Sequence, residues 1–208
     1  MLTTTSTIAF RFREGIIIAA DTAVSYGRLS LCHMNRIFVF QNVLVAFNGF
    51  VGDFHDVKRW LEDEIRDEKR EIDARGIFKL IQLYLYTRRS QMTPKACSVV
   101  VAGLEKTQHL FLGCITSKGV FWEDNVISTG FAAHFITPLL RTHPVDTLSL
   151  DQAESLIKEA TKIMVYKDAC ASNRIQIAVI SHTGEIVLKN EKIYTDWTVA
   201  QTPSEIIL

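Results

Sequence analysis

Two things are missing from this chain of 208 residues before anything is found in it: a long apolar run and a net charge. The richest apolar stretches, "GIIIAAD" and "ACSVVVAGL", are cut short by polar or turn residues well before the roughly 20 residues a bilayer-crossing helix needs. A soluble protein that does not engage the membrane is expected. Lys plus Arg and Asp plus Glu number 23 each, so no summed field draws nucleic acid or an acidic substrate. Partners must be recognised by shape. Cysteine is scarce, with Cys32, Cys97, Cys114 and Cys170 far apart, no Cys-x-x-Cys pair and no signal-peptide pattern ahead of them. That argues against a disulfide framework and predicts reduced thiols behaving as small buried hydrophobes, in the cytoplasm or nucleus. The six histidines lack metal-ligand spacing, since His33 beside Cys32 is their only close pairing and adjacent strand residues face opposite ways. No metal and no cofactor is expected. There is no internal repeat, low-complexity tract or linker, so residues 1–208 read as a single domain.

What is present is hydrophobic periodicity that changes along the chain. Ile8, Phe10 and Phe12 alternate with Thr7, Ala9 and Arg11, the signature of a half-buried strand, and "REG" turns it into the apolar strand "IIIAA". "RIFVF", "QN" and "VLVAF" (36–47) read as a second hairpin. From Phe50 the spacing becomes helical: Phe54, Val57, Leu61 and Ile65 form one stripe, and Ile77, Leu80, Ile81, Tyr84 and Leu85 form another. The charged run "EDEIRDEKREIDAR" (62–75) alternates in sign and reads as a solvated helix face. Strands return at 96–105, 107–115 and 119–129, then helices over "AAHFITPLLRTH", with Pro138 bending or delimiting it, and from about Leu150. "RIQIAVIS", a His-Thr-Gly turn and "EIVLK" close the pattern. Strands, two helices, strands, two helices, strands, with no repeated βαβ unit, favour an α+β fold with two sheets between two helical layers.

The opening stretch "TTTSTIAFRFREGIIIAADT" (3–22), with its "AAD" ending, resembles the start of proteasome beta subunits, a branch of the N-terminal-nucleophile hydrolases. "SYGRL", "FNGFVGDFHDVKRWL", "YTRRSQMTP", "STGFAAHFITPLLR", "VYKDACASNRIQIAVI" and "TDWTVA" are similar to blocks of the beta-7 class, also called type 4, in the same order over nearly the whole chain. The resemblance implies a four-layer αββα sandwich of two antiparallel sheets, which fits the element order read from periodicity.

Catalysis in that family uses an N-terminal threonine whose own α-amine, with a pKa near ~7.7, is the base. Counting back from Asp21 through Gly15 and Phe12, the resemblance puts the nucleophile at Thr5, yet Thr4 precedes it and no Gly-Thr processing junction lies nearby. It also implies that Asp21 and Asp168 are the two acidic positions and that Gly49 supplies an oxyanion donor. Other parts are replaced. Arg36 stands nearest the family's lysine, Phe131 in "TGFA" stands at its glycine-flanked serine, and Ala171 in "DACA" stands at the serine after the second aspartate. An arginine does not exchange its proton near neutrality, and a phenyl ring is expected to crowd the site while removing a hydroxyl.

The resemblance therefore implies a non-catalytic, structural beta subunit of the 20S core particle, working in the cytoplasm and nucleus beside the other beta and alpha subunits of a four-ring, twenty-eight-subunit complex. The competing readings are an active threonine endopeptidase using Thr5 and a free-standing binding protein on the same fold. The resemblance also implies that the sides pack against neighbours within the ring and that the first helix pair faces the other beta ring, so that Asp53 to Arg89 carries interface as well as core, with Trp60 and Tyr86 as exposed aromatics suited to it. Residues 195–208 form a C-terminal extension whose apolar end, Ile206, Ile207 and Leu208, is expected to reach the opposite beta ring and help join half-proteasomes.

Overall fold

The structure, a computed structural model, describes residues 1–67 and 71–198. In chain order its elements are β1 (Leu2–Thr4), β2 (Thr7–Phe12), β3 (Gly15–Asp21), β4 (Ala23–Tyr26), β5 (Leu29–His33), β6 (Ile37–Phe40) and β7 (Val43–Phe50). Helices α1 (Val51–Asp67) and α2 (Ala74–Ser90) follow, then β8 (Cys97–Leu104), β9 (Leu110–Ile115), β10 (Phe121–Glu123) and β11 (Val126–Ser128). Helices α3 (Ala132–Arg141) and α4 (Leu150–Lys167) lead to β12 (Arg174–Ser181) and β13 (Ile186–Lys192). Among the described residues the strands form two sheets, ordered β10-β9-β8-β7-β1-β4-β5, with β6 also on β7, and β11-β2-β3-β12-β13. Every pairing is antiparallel.

Three apolar clusters separate four layers, as the periodicity predicts. Phe54, Val57 and Leu61 of α1 and Ile77, Ile81 and Leu85 of α2 pack on the outer face of the eight-stranded sheet. Ile136, Leu140, Ile157 and Met164 of α3 and α4 cover the outer face of the five-stranded one. Between the sheets, Ile16 and Ile18 meet Leu44, Val100 and Leu112. This explains why β3 is apolar at nearly every position: Ile17 and Ala19 face the helices while Ile16, Ile18 and Ala20 face the other sheet. Helix starts are fixed locally. Asp73 accepts the Gly76 N–H at 2.9 Å ahead of α2, and Ser149 with Gln152 forms a capping box ahead of α4.

Several expectations need correction. The stretch 119–129 is not one strand, because β10 joins the eight-stranded sheet and β11 the five-stranded one. Periodicity cannot see that change of sheet, which happens over two residues. Strands β1, β4 and β5 were not visible either; β5 is exposed at all five positions and so carries no buried alternation. Of the two alternatives for Pro138, delimiting the helix is the one set aside, since it lies inside α3. Cys97 and Cys114 are buried, and desolvation pushes their thiols up to about 12, but Cys32 is exposed and Cys170 half-buried. Trp60 is half-buried against Tyr84, ring centroids 4.2 Å apart, so it ties α1 to α2. Of the 195–208 extension, residues 199–208, with Ile206, Ile207 and Leu208, lie outside the described residues.

Gly15 opens β3 where the strand passes tightly against β12: a β-carbon there would lie 2.1 Å from the Ile180 carbonyl oxygen. Gly15→Ala is expected to cost about 1–3 kcal/mol, since two ladder-bonded strands must separate to admit one methyl. Urea denaturation measures it, and an unchanged midpoint would contradict the close approach.

Candidate functional site

At one end of the sandwich the chain changes sheets twice, side by side. Thr5 and Ser6 carry it from β1 in the eight-stranded sheet to β2 in the five-stranded sheet, and Thr22 carries it back from β3 to β4. Arg36, just ahead of β6, binds both crossings. Its Nε donates to the Asp21 carbonyl at 2.7 Å, Nη1 to the Thr5 carbonyl at 3.3 Å and Nη2 to the Ser6 carbonyl at 2.9 Å. Nη2 also forms an ion pair with Asp21 Oδ1, and both side chains are fully buried. Desolvation lowers the Arg36 pKa from its ordinary value while Asp21 and Asp168 oppose that shift. An arginine starts so far above neutrality that it remains a cation here.

Thr5 sits against this pair, its Oγ1 donating to Asp21 Oδ1 at 2.8 Å. The other Asp21 oxygen accepts the Ala23 N–H at 3.0 Å and the Ser172 N–H at 3.2 Å. The carboxylate is thus charge-paired and hydrogen-bonded at both oxygens, the condition under which a buried anion is tolerated. Upstream, β1 lies between two strands, with Thr3 opposite Ser25 of β4 and Phe50 of β7, and Thr4 opposite Gly49. The Thr5 nitrogen is therefore a peptide amide at the end of a strand paired on both sides. Gly49 has φ +111°, and a β-carbon on it would lie 2.5 Å from the Ala96 carbonyl oxygen, so only glycine fits. Its N–H donates to Thr4 Oγ1 at 3.1 Å.

The remaining positions divide. Asp168 caps the end of α4, and its Oδ1 accepts the Cys170 N–H at 2.9 Å. Burial pushes its carboxyl above the ordinary carboxylate range and Asp21 adds to this, while the Cys170 N–H and Arg36 oppose it. Ala171 packs at the margin of the α3–α4 cluster and donates its N–H to the Asp168 carbonyl at 3.0 Å. Phe131 does not enter the buried polar group: its ring is 55% exposed and stacks on Phe135, centroids 5.9 Å apart. The crowding expected of it does not arise among those groups, and what it changes is the absence of a hydroxyl. Asp21, Arg36, Thr5 and, through Thr4, Gly49 are brought together, whereas Phe131 stays at the surface.

Two residues that serve this site were not anticipated. Gln176 Oε1 accepts the N–H groups of Arg36 and Ile37 at 2.9 and 2.8 Å, and its Nε2 donates to the Ile37 carbonyl at 3.0 Å. A lone amide inside the apolar strand "RIQIAVI" was the available signal, since a buried amide needs partners. Ser6 is buried, and its Oγ accepts the Ala132 N–H at 2.9 Å at the start of α3.

A family model described as "Proteasome subunit" matches residues 1–180. The chain belongs to the proteasome beta-subunit family. It is 33% identical to a probable proteasome subunit beta type-7 of Encephalitozoon cuniculi, over 100% of this chain and 98% of that protein. To proteasome subunit beta type-4 of Xenopus laevis it is 32% identical, over 96% of this chain and 86% of that one. To proteasome subunit beta type-7 of Saccharomyces cerevisiae the identity is 30%, over 93% and 79%. These are the classes whose sequence blocks the chain resembles, and the two-sheet, four-helix architecture of this beta subunit accords with the four-layer sandwich.

Arg36→Met leaves Asp21 buried without its counter-charge and three carbonyls without donors, so stability is expected to fall by about 3–5 kcal/mol. Guanidinium denaturation reads the loss, and a drop below about 1 kcal/mol would show that the pair does not hold the crossings. Asp168 gives a pH signature. Because its folded-state pKa is raised, its contribution is most favourable when it is protonated and is lost as pH rises through that pKa. Asp168→Asn, whose amide oxygen can still accept the Cys170 N–H, is expected to melt at or above the parent temperature at neutral pH. That advantage should shrink as pH falls below the ordinary carboxylate range, and an advantage that grew on acidification would refute the assignment.

Proposed function

We propose that this beta subunit is a non-catalytic, structural member of the proteasome core particle, completing a beta ring without hydrolysing peptides itself. The observation that supports this best is Thr4. It stands where the family's processing needs a glycine, so nothing marks the Thr5 nitrogen for release as the amine that would act as base, and its Oγ1 accepts the Gly49 N–H that would otherwise face an oxyanion. Arg36 adds a second reason. A permanent guanidinium tied to three carbonyls and to Asp21 has no lone pair with which to accept the Thr5 proton. Thr5 Oγ1 is left as a donor to a paired carboxylate, with structural hydrogen bonding in place of proton transfer. On this reading the subunit assembles with other beta and alpha subunits of the particle, and the C-terminal extension 195–208 helps join half-particles.

The test is covalent labelling of intact particles with a threonine-directed inhibitor, followed by intact-mass measurement of each chain and N-terminal sequencing of this one. Other beta subunits should gain the inhibitor mass while this chain stays unmodified and Thr5 stays internal. An adduct on Thr5, or a native chain beginning at Thr5, would make it an active threonine endopeptidase instead.

A further inference from the structure

Beyond β13 the chain is tied back to the sandwich by side chains. The Ile193 N–H donates to the Asn173 carbonyl at 2.8 Å, and Asn173 Nδ2 donates to Thr195 Oγ1 at 3.4 Å. At Asp196 one side chain takes both backbone polar groups. The Tyr166 hydroxyl, in the last turn of α4, accepts the Asp196 N–H at 2.7 Å and donates to the Asp196 carbonyl at 3.0 Å. The Trp197 ring meets the Tyr166 ring edge to face, centroids 4.9 Å apart and planes at 78°. Asp196 Oδ1 in turn accepts the Thr198 N–H at 2.9 Å and the Thr198 hydroxyl at 2.7 Å.

A tyrosine hydroxyl carries one proton and free lone pairs, so it can donate and accept at once. Spending both on a single residue fixes the orientation of that residue's two peptide groups as well as their position. Tyr166 is itself held firmly, because Met164 and Val165 beside it are buried and the Asp168 N–H closes the end of α4 on the Met164 carbonyl at 2.8 Å. Trp197 remains 52% exposed, so burial of its ring is not what secures the stem 193–198. The hydrogen bonds of Tyr166 and Asn173 are what hold it.

Resting on the reading that the extension helps join half-particles, we propose that Tyr166 is a positioning residue for it. Its hydroxyl latches Asp196 to the end of α4 and so sets the point and direction from which residues 199–208 leave for the other half-particle. Without the latch the free segment would begin near the end of β13. A longer flexible tether spreads its tip over a larger volume and lowers the effective concentration of that tip at its partner. The latch therefore acts on joining through geometry, with no contact of its own to the partner.

The test expresses variants of the full chain in its native cell and measures, by native electrophoresis, their entry into half-particles and the ratio of full to half-particles. Tyr166→Phe keeps the ring against Trp197 and removes only the hydroxyl. It should enter half-particles as the parent does and lower the ratio about fivefold, the scale of one lost hydrogen bond. Deleting 199–208 should lower the ratio too, and adding Tyr166→Phe to that deletion should change nothing further, since a residue acting through the tail has no effect without it. Asp196→Pro removes the N–H that Tyr166 accepts and leaves α4 untouched, so it should behave as Tyr166→Phe does, whereas Asp196→Ala keeps that N–H and should retain more full particles. An unchanged ratio in Tyr166→Phe beside a lowered one in the deletion would overturn the latch and leave the tail reading intact. Poor entry of Tyr166→Phe into half-particles, or a further loss when it is added to the deletion, would make the tyrosine merely structural and overturn the latch as well. An unchanged ratio in the deletion would remove the tail reading and the latch together.

Discussion

One buried cation holds the functional end of this molecule together. Arg36 reaches from the start of β6 to the carbonyls of Thr5, Ser6 and Asp21 and to the Asp21 carboxylate, so two strand-to-strand crossings between sheets are fixed by one guanidinium. Chain that leaves a sheet must find partners for peptide groups that the ladder no longer satisfies, and away from water that requirement is costly to fail. Arg36 suits the task because its planar fork presents several donors at once. Gln176 completes the arrangement from the opposite sheet by accepting the Arg36 and Ile37 amides.

The same bonds also engage the groups that the family's chemistry would draw on. A threonine hydroxyl beside an aspartate, near a glycine N–H, contains much of what acyl transfer uses, but each group here is already committed. Thr5 Oγ1 donates to Asp21, Asp21 is neutralised by Arg36, and the Gly49 N–H is taken by Thr4. All of these groups are hydrogen-bonded in the resting chain, as buried polar groups require. In the resting chain these groups form a hydrogen-bonded joint between the two sheets.

The four-layer arrangement also decides which surfaces remain for partners. Sheets packed on both faces leave only their ends and the outer sides of the helices exposed. In the five-stranded sheet β11 is buried and β13 carries paired charges beside exposed Val187 and Leu188, while the eight-stranded sheet exposes Leu29 and Leu31 on β5 and Phe121 and Trp122 on β10. The centre of each sheet therefore supplies the core, and the exposed apolar side chains lie toward the sheet ends and the outer helix faces.

How far the sequence could be read follows from the range of the forces involved. Alternation in β2, helical spacing from Phe54 to Leu85 and the turn at Gln41 and Asn42 are local consequences of which side faces water, so they were legible. The unbroken apolar run of β3 also announced a strand buried on both faces. Motif order identified the family and located Thr5, Asp21, Arg36 and Gly49. The rest depended on neighbours distant in sequence. That "GVFWEDNVIST" divides between two sheets, that β5 is a strand although no position in it is buried, and that Phe131 lies outward on Phe135 are outcomes of packing. The sequence determined that an arginine and not a lysine stands at position 36. Only the tertiary structure decided that it would be sealed from water between two crossings, because the carbonyls that hold it come from residues 15 to 31 positions away and meet only when both sheets have closed.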